Sequence, residues 1–157
     1  MNKKQKDQKK QKMKYSGKQK CHTDKALIAY STDLNQILSV NTEIGSIHDF
    51  KIFRNCRVWS YQVIQNAISK EFDLGFLGVN KYIPDAKIPH KKSKHHKLTK
   101  QEKKENRQLS QSRIRIENIN REIKIFRICK EVRRHKQKKH NLFWNLIAGV
   151  VNFKLRN

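Results

Sequence analysis

The sequence predicts a mixed α/β domain, and three observations predict it. Lys25–Thr32 (KALIAYST) and Gln36–Thr42 (QILSVNT) are short strand-like runs separated by Asp33-Leu34-Asn35, the pattern of a β-hairpin. Thr99 and Glu102 form a helix-start pair ahead of a stretch in which Leu109, Ile116, Ile119, Ile123 and Phe126 recur at sums of three and four. Between a lysine-rich start and that basic helix, residues 21–90 hold seven basic and seven acidic residues, a neutral block able to fold.

The remaining elements follow in order. Residues 1–14 carry no aliphatic or aromatic side chain beyond Met1 and Met13, so they cannot enter a core and are expected to be mobile. After the hairpin, Ser46 and Asp49 fit a capping box, with His48–Asn55 a short helix presenting Phe50 and Phe53. Val58–Ser69 reads as a second helix with Val63, Ile64, Ala67 and Ile68 on one side. A short strand at Lys70–Asp73 runs into Leu74-Gly75-Phe76-Leu77-Gly78, where two glycines break regular structure. Residues 79–98, with Pro84 and Pro89, read as an irregular connection, and the helix opened by Thr99 extends to about Ile128. Asn141–Phe153 reads as a terminal helix with Leu142, Leu146, Gly149, Val150 and Phe153 inward. The plan is a basic segment, 1–20, followed by an α/β unit over 21–157 whose stretch 91–140 is strongly basic.

Charge narrows the function classes. The 157 residues hold 37 Lys+Arg against 13 Asp+Glu, a formal net charge of +24. Residues 91–140 alone carry nineteen basic and five acidic residues while keeping apolar residues at helical spacing. A basic helix beside a neutral core is suited to a phosphate backbone, because each neutralised phosphate releases counterions. DNA or another nucleic acid is the expected partner. Three scattered cysteines make no disulfide framework, and a charged start without an apolar core makes no signal peptide, so a cytoplasmic, nucleoid-associated protein is expected. The apolar run Leu146–Val151 is far short of the roughly 20 residues a membrane span needs.

Two acids stand out. Asp73 closes an apparent strand and precedes a glycine-containing turn, the position where open α/β sheets place ligand groups. It equally fits a turn-forming aspartate. Glu117 lies beside the apolar stripe of the long helix with Arg113 and Arg121 one turn away on either side, which equally fits an i,i+4 ion pair on a solvated face. Brought together, the two carboxylates would offer the oxygen ligands a hard divalent cation takes. The histidines and cysteines lack zinc-finger spacing, and there is no phosphate-binding glycine loop and no local nucleophile signature.

Five segments in order, YSGKQKCHT (15–23), GSIHDFKIFRN (45–55), DLGFLGV (73–79), PHKKSKHHKLTKQEKKENRQLSQSRIRIENINREIKIFRI (89–128) and HNLFWNLIAGVVNF (140–153), resemble the C-terminal part of bacterial insertion-sequence transposases. These are DDE-superfamily endonucleases related to the Harbinger transposases, and the resemblance runs from about Asp7 onward. It implies an RNase H-like fold, three metal-binding carboxylates, and Mg²⁺ (or Mn²⁺) ions flanking the phosphate during DNA cutting and strand transfer. By position, Asp73 resembles the second carboxylate and Glu117 the third. Arg113, Arg121 and Lys124, with Arg133 and Arg134 in the next basic run, become the DNA-binding residues. Gly45, Ser46, His48 and Asp49 match a family signature read here as capping a helix and shaping the edge of the site.

The family's first carboxylate sits in an Asp-Gly-Thr on a strand that precedes the Tyr-Ser-Gly segment. Asp7 matches a loop acid instead, lying among Lys and Gln. The expectation is therefore an incomplete RNase H-like fold without its first central strand, poorly stable, binding DNA but not cutting it. The alternatives are one half of a split or frameshifted transposase completed in trans by an upstream half, and a basic nucleic-acid-binding protein without catalysis. Besides DNA, the expected partners are that upstream half or further copies of the chain in a homo-oligomer.

Overall fold

The structure, a computed structural model, describes residues 15–16, 21–22, 24–57, 60–94, 97–130 and 137–156. The expectations for residues 1–14, for Val58 and for Arg133 and Arg134 lie outside the described residues. The mixed α/β class holds. Its strands form three separate two-stranded sheets: β1 (Tyr15–Ser16) with β2 (Cys21–His22), β3 (Asp24–Ser31) with β4 (Gln36–Ile44), and β5 (Lys70–Glu71) with β6 (Ala86–Lys87). The first two pairs are antiparallel and the third is parallel. The helices are α1 (Asp49–Cys56), α2 (Gln62–Gln65), α3 (Lys100–Ile125), α4 (Arg127–Lys130) and α5 (Gln137–Arg156).

The β3–β4 hairpin is the organising element, and it forms where its sequence pattern places it. Asn35, in the left-handed region at φ 47°, closes the turn. One cluster joins Ala26, Ile28 and Tyr30 of β3 and Ile37 and Val40 of β4 to Ile119 and Ile123 of α3, Cys129 of α4, and Trp144, Ala148 and Val151 of α5. A second gathers Leu27 of β3 with Phe50 and Phe53 of α1 and with Phe72, Phe76, Val79, Tyr82, Ile83, Ala86 and Ile88.

Five sequence expectations need correction. Ser46 and Asp49 do not make a capping box: His48 is the N-cap of α1, its Nδ1 accepting from the Phe50 amide, while the Asp49 carboxylate is held by Lys25 at 3.0 Å. The helix expected over 58–69 shrinks to the four residues of α2. Arg57 turns left-handed at φ 51°, and only Ile64 of the expected apolar set joins a core, leaving Ile68 96% exposed. So short a segment has no buried face to stabilise it. The connection 79–98 is less irregular than expected, since it supplies β6. The long helix stops at Ile125, because Phe126 adopts extended backbone.

The fifth correction concerns α5, which turns the opposite face inward. Leu142, Leu146, Val150 and Phe153 are all more than half exposed, whereas His140, Trp144, Ala148 and Val151 are buried. Residues 141–153 contain no charge, so the helix has two apolar faces and hydropathy cannot choose between them. Hydrogen bonding does. Asn152 accepts from the Ile37 amide at 2.7 Å and donates to its carbonyl at 2.9 Å, Asn145 donates to the Val40 carbonyl, and Asn141 accepts from the Thr42 amide. A helix thus occupies the outer edge of β4 with side-chain amides in place of a strand. Among the described residues the opposite edge of the hairpin, along β3, has no strand beside it.

Candidate functional site

Asp73 follows β5 by two residues and caps the short 3₁₀ turn Leu74–Phe76, its Oδ1 accepting from the Leu74 amide at 2.7 Å. The turn is pinned on both sides: Phe72 and Phe76 meet the ring of Phe53 edge-on, at centroid distances of 5.7 and 6.0 Å. Such edge-to-face packing fixes ring orientation and hence the path of the backbone between them. Asp49 borders the turn as well, since a Cβ added at Gly75 would lie 3.5 Å from its Oδ2. Lys25 pairs with Asp49 and also donates to the Ile47 carbonyl at 2.9 Å. Within the signature, Asp49 borders this edge through its salt bridge to Lys25, while His48 caps α1.

Glu117 comes from α3, whose N-terminus is fixed by the expected capping box: Thr99 Oγ1 accepts from the Glu102 amide and Glu102 accepts from the Thr99 amide. His90 holds the preceding connection against the first turns, with Nε2 at 2.8 Å from Glu105 and backbone bonds to the Asn106 side chain. The Glu105 carboxyl is held below its ordinary value, first by the Gln101 amide and then by His90. Leu109, Ile119 and Ile123 are buried and set the roll of the helix. Ile116 is half-buried and Phe126 lies 37% exposed beyond the helix end, so neither completes the stripe as expected.

Arg113 joins the two acids. Its Nη1 is 3.1 Å from Asp73 Oδ1 and its Nη2 3.6 Å from Glu117 Oε1. Each of the three side chains is roughly half exposed, at 50% for Asp73, 44% for Arg113 and 61% for Glu117. Both local alternatives are therefore realised, the turn-capping aspartate and the i,i+4 pair, and the fold adds the link between them. One residue earlier, the Ser112 hydroxyl donates to Glu71 of β5, a second tie between α3 and the strand. The expected phosphate contact Arg113 thus lies between the carboxylates, which sequence reasoning did not anticipate.

Asp73 and Glu117 have the right donor chemistry for a hard cation and are open to solvent, but two carboxylates are an incomplete ligand set. Among the described residues no group of three or more His, Cys, Asp or Glu side chains could hold a metal ion. Beyond Glu117, Arg121 and Lys124 line an open groove of about 450 Å³ together with Asn120, Ile125 and Lys130. Lys130 was not singled out by the sequence.

The model of the DDE superfamily endonucleases matches residues 2–152. The chain belongs to that family. It is 35% identical over 147 residues to a protein of Microchaete diplosiphon described as a probable transposase for insertion sequence element IS702, covering 94% of this chain and 52% of that one. This member of the DDE superfamily thus spans about half the length of the curated relative it matches. No solved structure matches it. No helix among the described residues is long and apolar enough to cross a membrane.

Proposed function

We propose that the chain acts on bacterial DNA, at the nucleoid, as part of a transposase, and that by itself it binds DNA without cutting it. In this reading Asp73 and Glu117 are two of the three carboxylates of an RNase H-like catalytic centre. The observation that supports it is their convergence: forty-four residues apart in sequence, they meet one guanidinium. A place where two carboxylates share a cation is electrostatically a cation site. A divalent ion bound there would activate the attacking oxygen and stabilise the leaving one. Asp73 and Glu117 would hold it, and Arg113 would release one or both to do so. A third carboxylate is needed to complete the oxygen set, which is why these residues alone are read as non-cutting. The test is incubation of the purified chain with an end-labelled transposon-end duplex and Mn²⁺. Binding without nicking is expected; nicking that disappears in Asp73→Ala would overturn the proposal.

A second reading, completion in trans, is favoured by the sheet edges. With β4 covered by the asparagines of α5, β3 is the long edge of the hairpin still able to accept a strand. An apolar strand bearing the third carboxylate, from another transposase segment, would enter there. Co-expression with such a segment should raise soluble yield and restore Mn²⁺-dependent nicking. A yield and activity unchanged by co-expression would count against it.

A further inference from the structure

The break between α3 and α4 builds a groove that neither helix would make alone. Phe126, at φ −75° and ψ 114°, leaves helical conformation, and Arg127–Lys130 then forms a single turn at a new angle. Had the helix run on, nine residues at about 100° each would have placed Lys130 about 180° from Arg121, on the opposite face. Instead Lys130 lines the same groove as Arg121 and Lys124. Cys129 is the pin: 6% exposed and packed into the core, it fixes the turn so that its neighbour Lys130 points outward.

The groove has the character of a nucleic-acid backbone site. Arg121, Lys124 and Lys130 are exposed, and no carboxylate among the described residues pairs with any of them. Four cations elsewhere are held by carboxylates and so less free for phosphates: Lys25 by Asp49, Lys70 by Asp85, Arg113 by Asp73 and Glu117, Lys154 by Glu122. Three unpaired cations around an apolar wall, the 65% exposed Ile125, offer charge to phosphates and a dry surface to the sugars between them. Glu117 lines the groove as well, so a strand lying in it reaches one of the paired carboxylates.

The geometry points to Lys130 as a phosphate-positioning residue that, with the elbow at Phe126, leads a DNA strand to Glu117. This rests on the DNA-binding reading above and adds the path the strand takes. The test measures fluorescence anisotropy of a labelled 20-base-pair random duplex with the full chain across a salt series. Lys130→Gln is expected to flatten the slope of log affinity against log salt by about 0.9, the loss of one phosphate contact, with Lys130→Arg restoring it. Lys81→Gln, which removes one exposed charge from a turn outside the basic helix, is expected to leave the slope unchanged. An unchanged slope in Lys130→Gln, or an equal loss in Lys81→Gln, overturns the groove while leaving DNA binding standing. No binding by the unaltered chain at low salt overturns both. Matching far-UV circular dichroism of variant and parent confirms that the exposed substitution leaves the fold intact.

Discussion

Replacing Asn152 with alanine tests whether α5 stands in for a strand. The Asn152 side chain satisfies both the amide and the carbonyl of Ile37, and Ile37 is only 4% exposed, so water cannot readily take over either bond. An unsatisfied buried backbone group costs about 1–3 kcal/mol. Asn152 is half-buried and truncation admits some water, so the two losses together come to about 2–3 kcal/mol rather than the sum of their upper limits. In a domain of this size each kcal/mol lowers the melting temperature by about 2–4 °C, so Asn152→Ala is expected to melt about 4–12 °C below the parent. Asn145 gives the edge of β4 one bond, to the Val40 carbonyl at 3.1 Å, and its alanine variant should lose about 1 kcal/mol. Thermal melts followed by far-UV circular dichroism separate the two. If Asn152→Ala melts with the parent, or no lower than Asn145→Ala, the edge is not held by these amides.

Three further outcomes are expected. Thr99→Ala removes the N-cap of α3 and should cost about 1 kcal/mol in urea unfolding, with Thr99→Ser recovering most of it. Asp85→Asn leaves the buried Lys70 ammonium without the carboxylate 2.6 Å away, and should lower the melting temperature more than Asp33→Asn in the exposed hairpin turn. Lys70 also holds the Asp85 carboxyl below its ordinary value of 3.8, so the stability this pair adds is complete above that pH and is lost as the pH falls through the lowered value. A melting series that stays flat through acid pH would contradict this. Burial pushes the Cys129 thiol up to about 11, so at pH 8 iodoacetamide should modify the less buried Cys56 and spare Cys129 until the chain is unfolded, as peptide mass spectrometry would record.

The elements legible in the sequence are those whose signals are local. The β3–β4 hairpin carries its strand pattern and turn residues within twenty positions, and the cap of α3 needs only Thr99 and Glu102. The face of α5 was not legible from hydropathy, because a charge-free helix with Leu142, Leu146, Val150 and Phe153 on one side and Trp144, Ala148 and Val151 on the other is apolar twice over. Its asparagines at 141, 145 and 152 do fall on one flank, and that row was a usable signal of a polar edge to be covered. Asp73 and Glu117 were found as a pair through resemblance, since each has a sufficient local explanation. Arg113 between them, the tie from Ser112 to Glu71 and the reach of Lys130 depend on contacts that no window of sequence contains.

The asparagine row also sets an order of events in synthesis. Ile37 and Asn152 are 115 residues apart, and at roughly 5–20 residues per second a ribosome needs roughly 6–23 s to travel between them. For that interval the hairpin exists without the helix that covers it, and the outer backbone groups of β4 are open to any other extended segment nearby. Dense polysomes would bring identical hairpins side by side during this window. Yield should therefore fall with the rate of initiation on the messenger, and slowing initiation rather than elongation is the way to recover soluble protein.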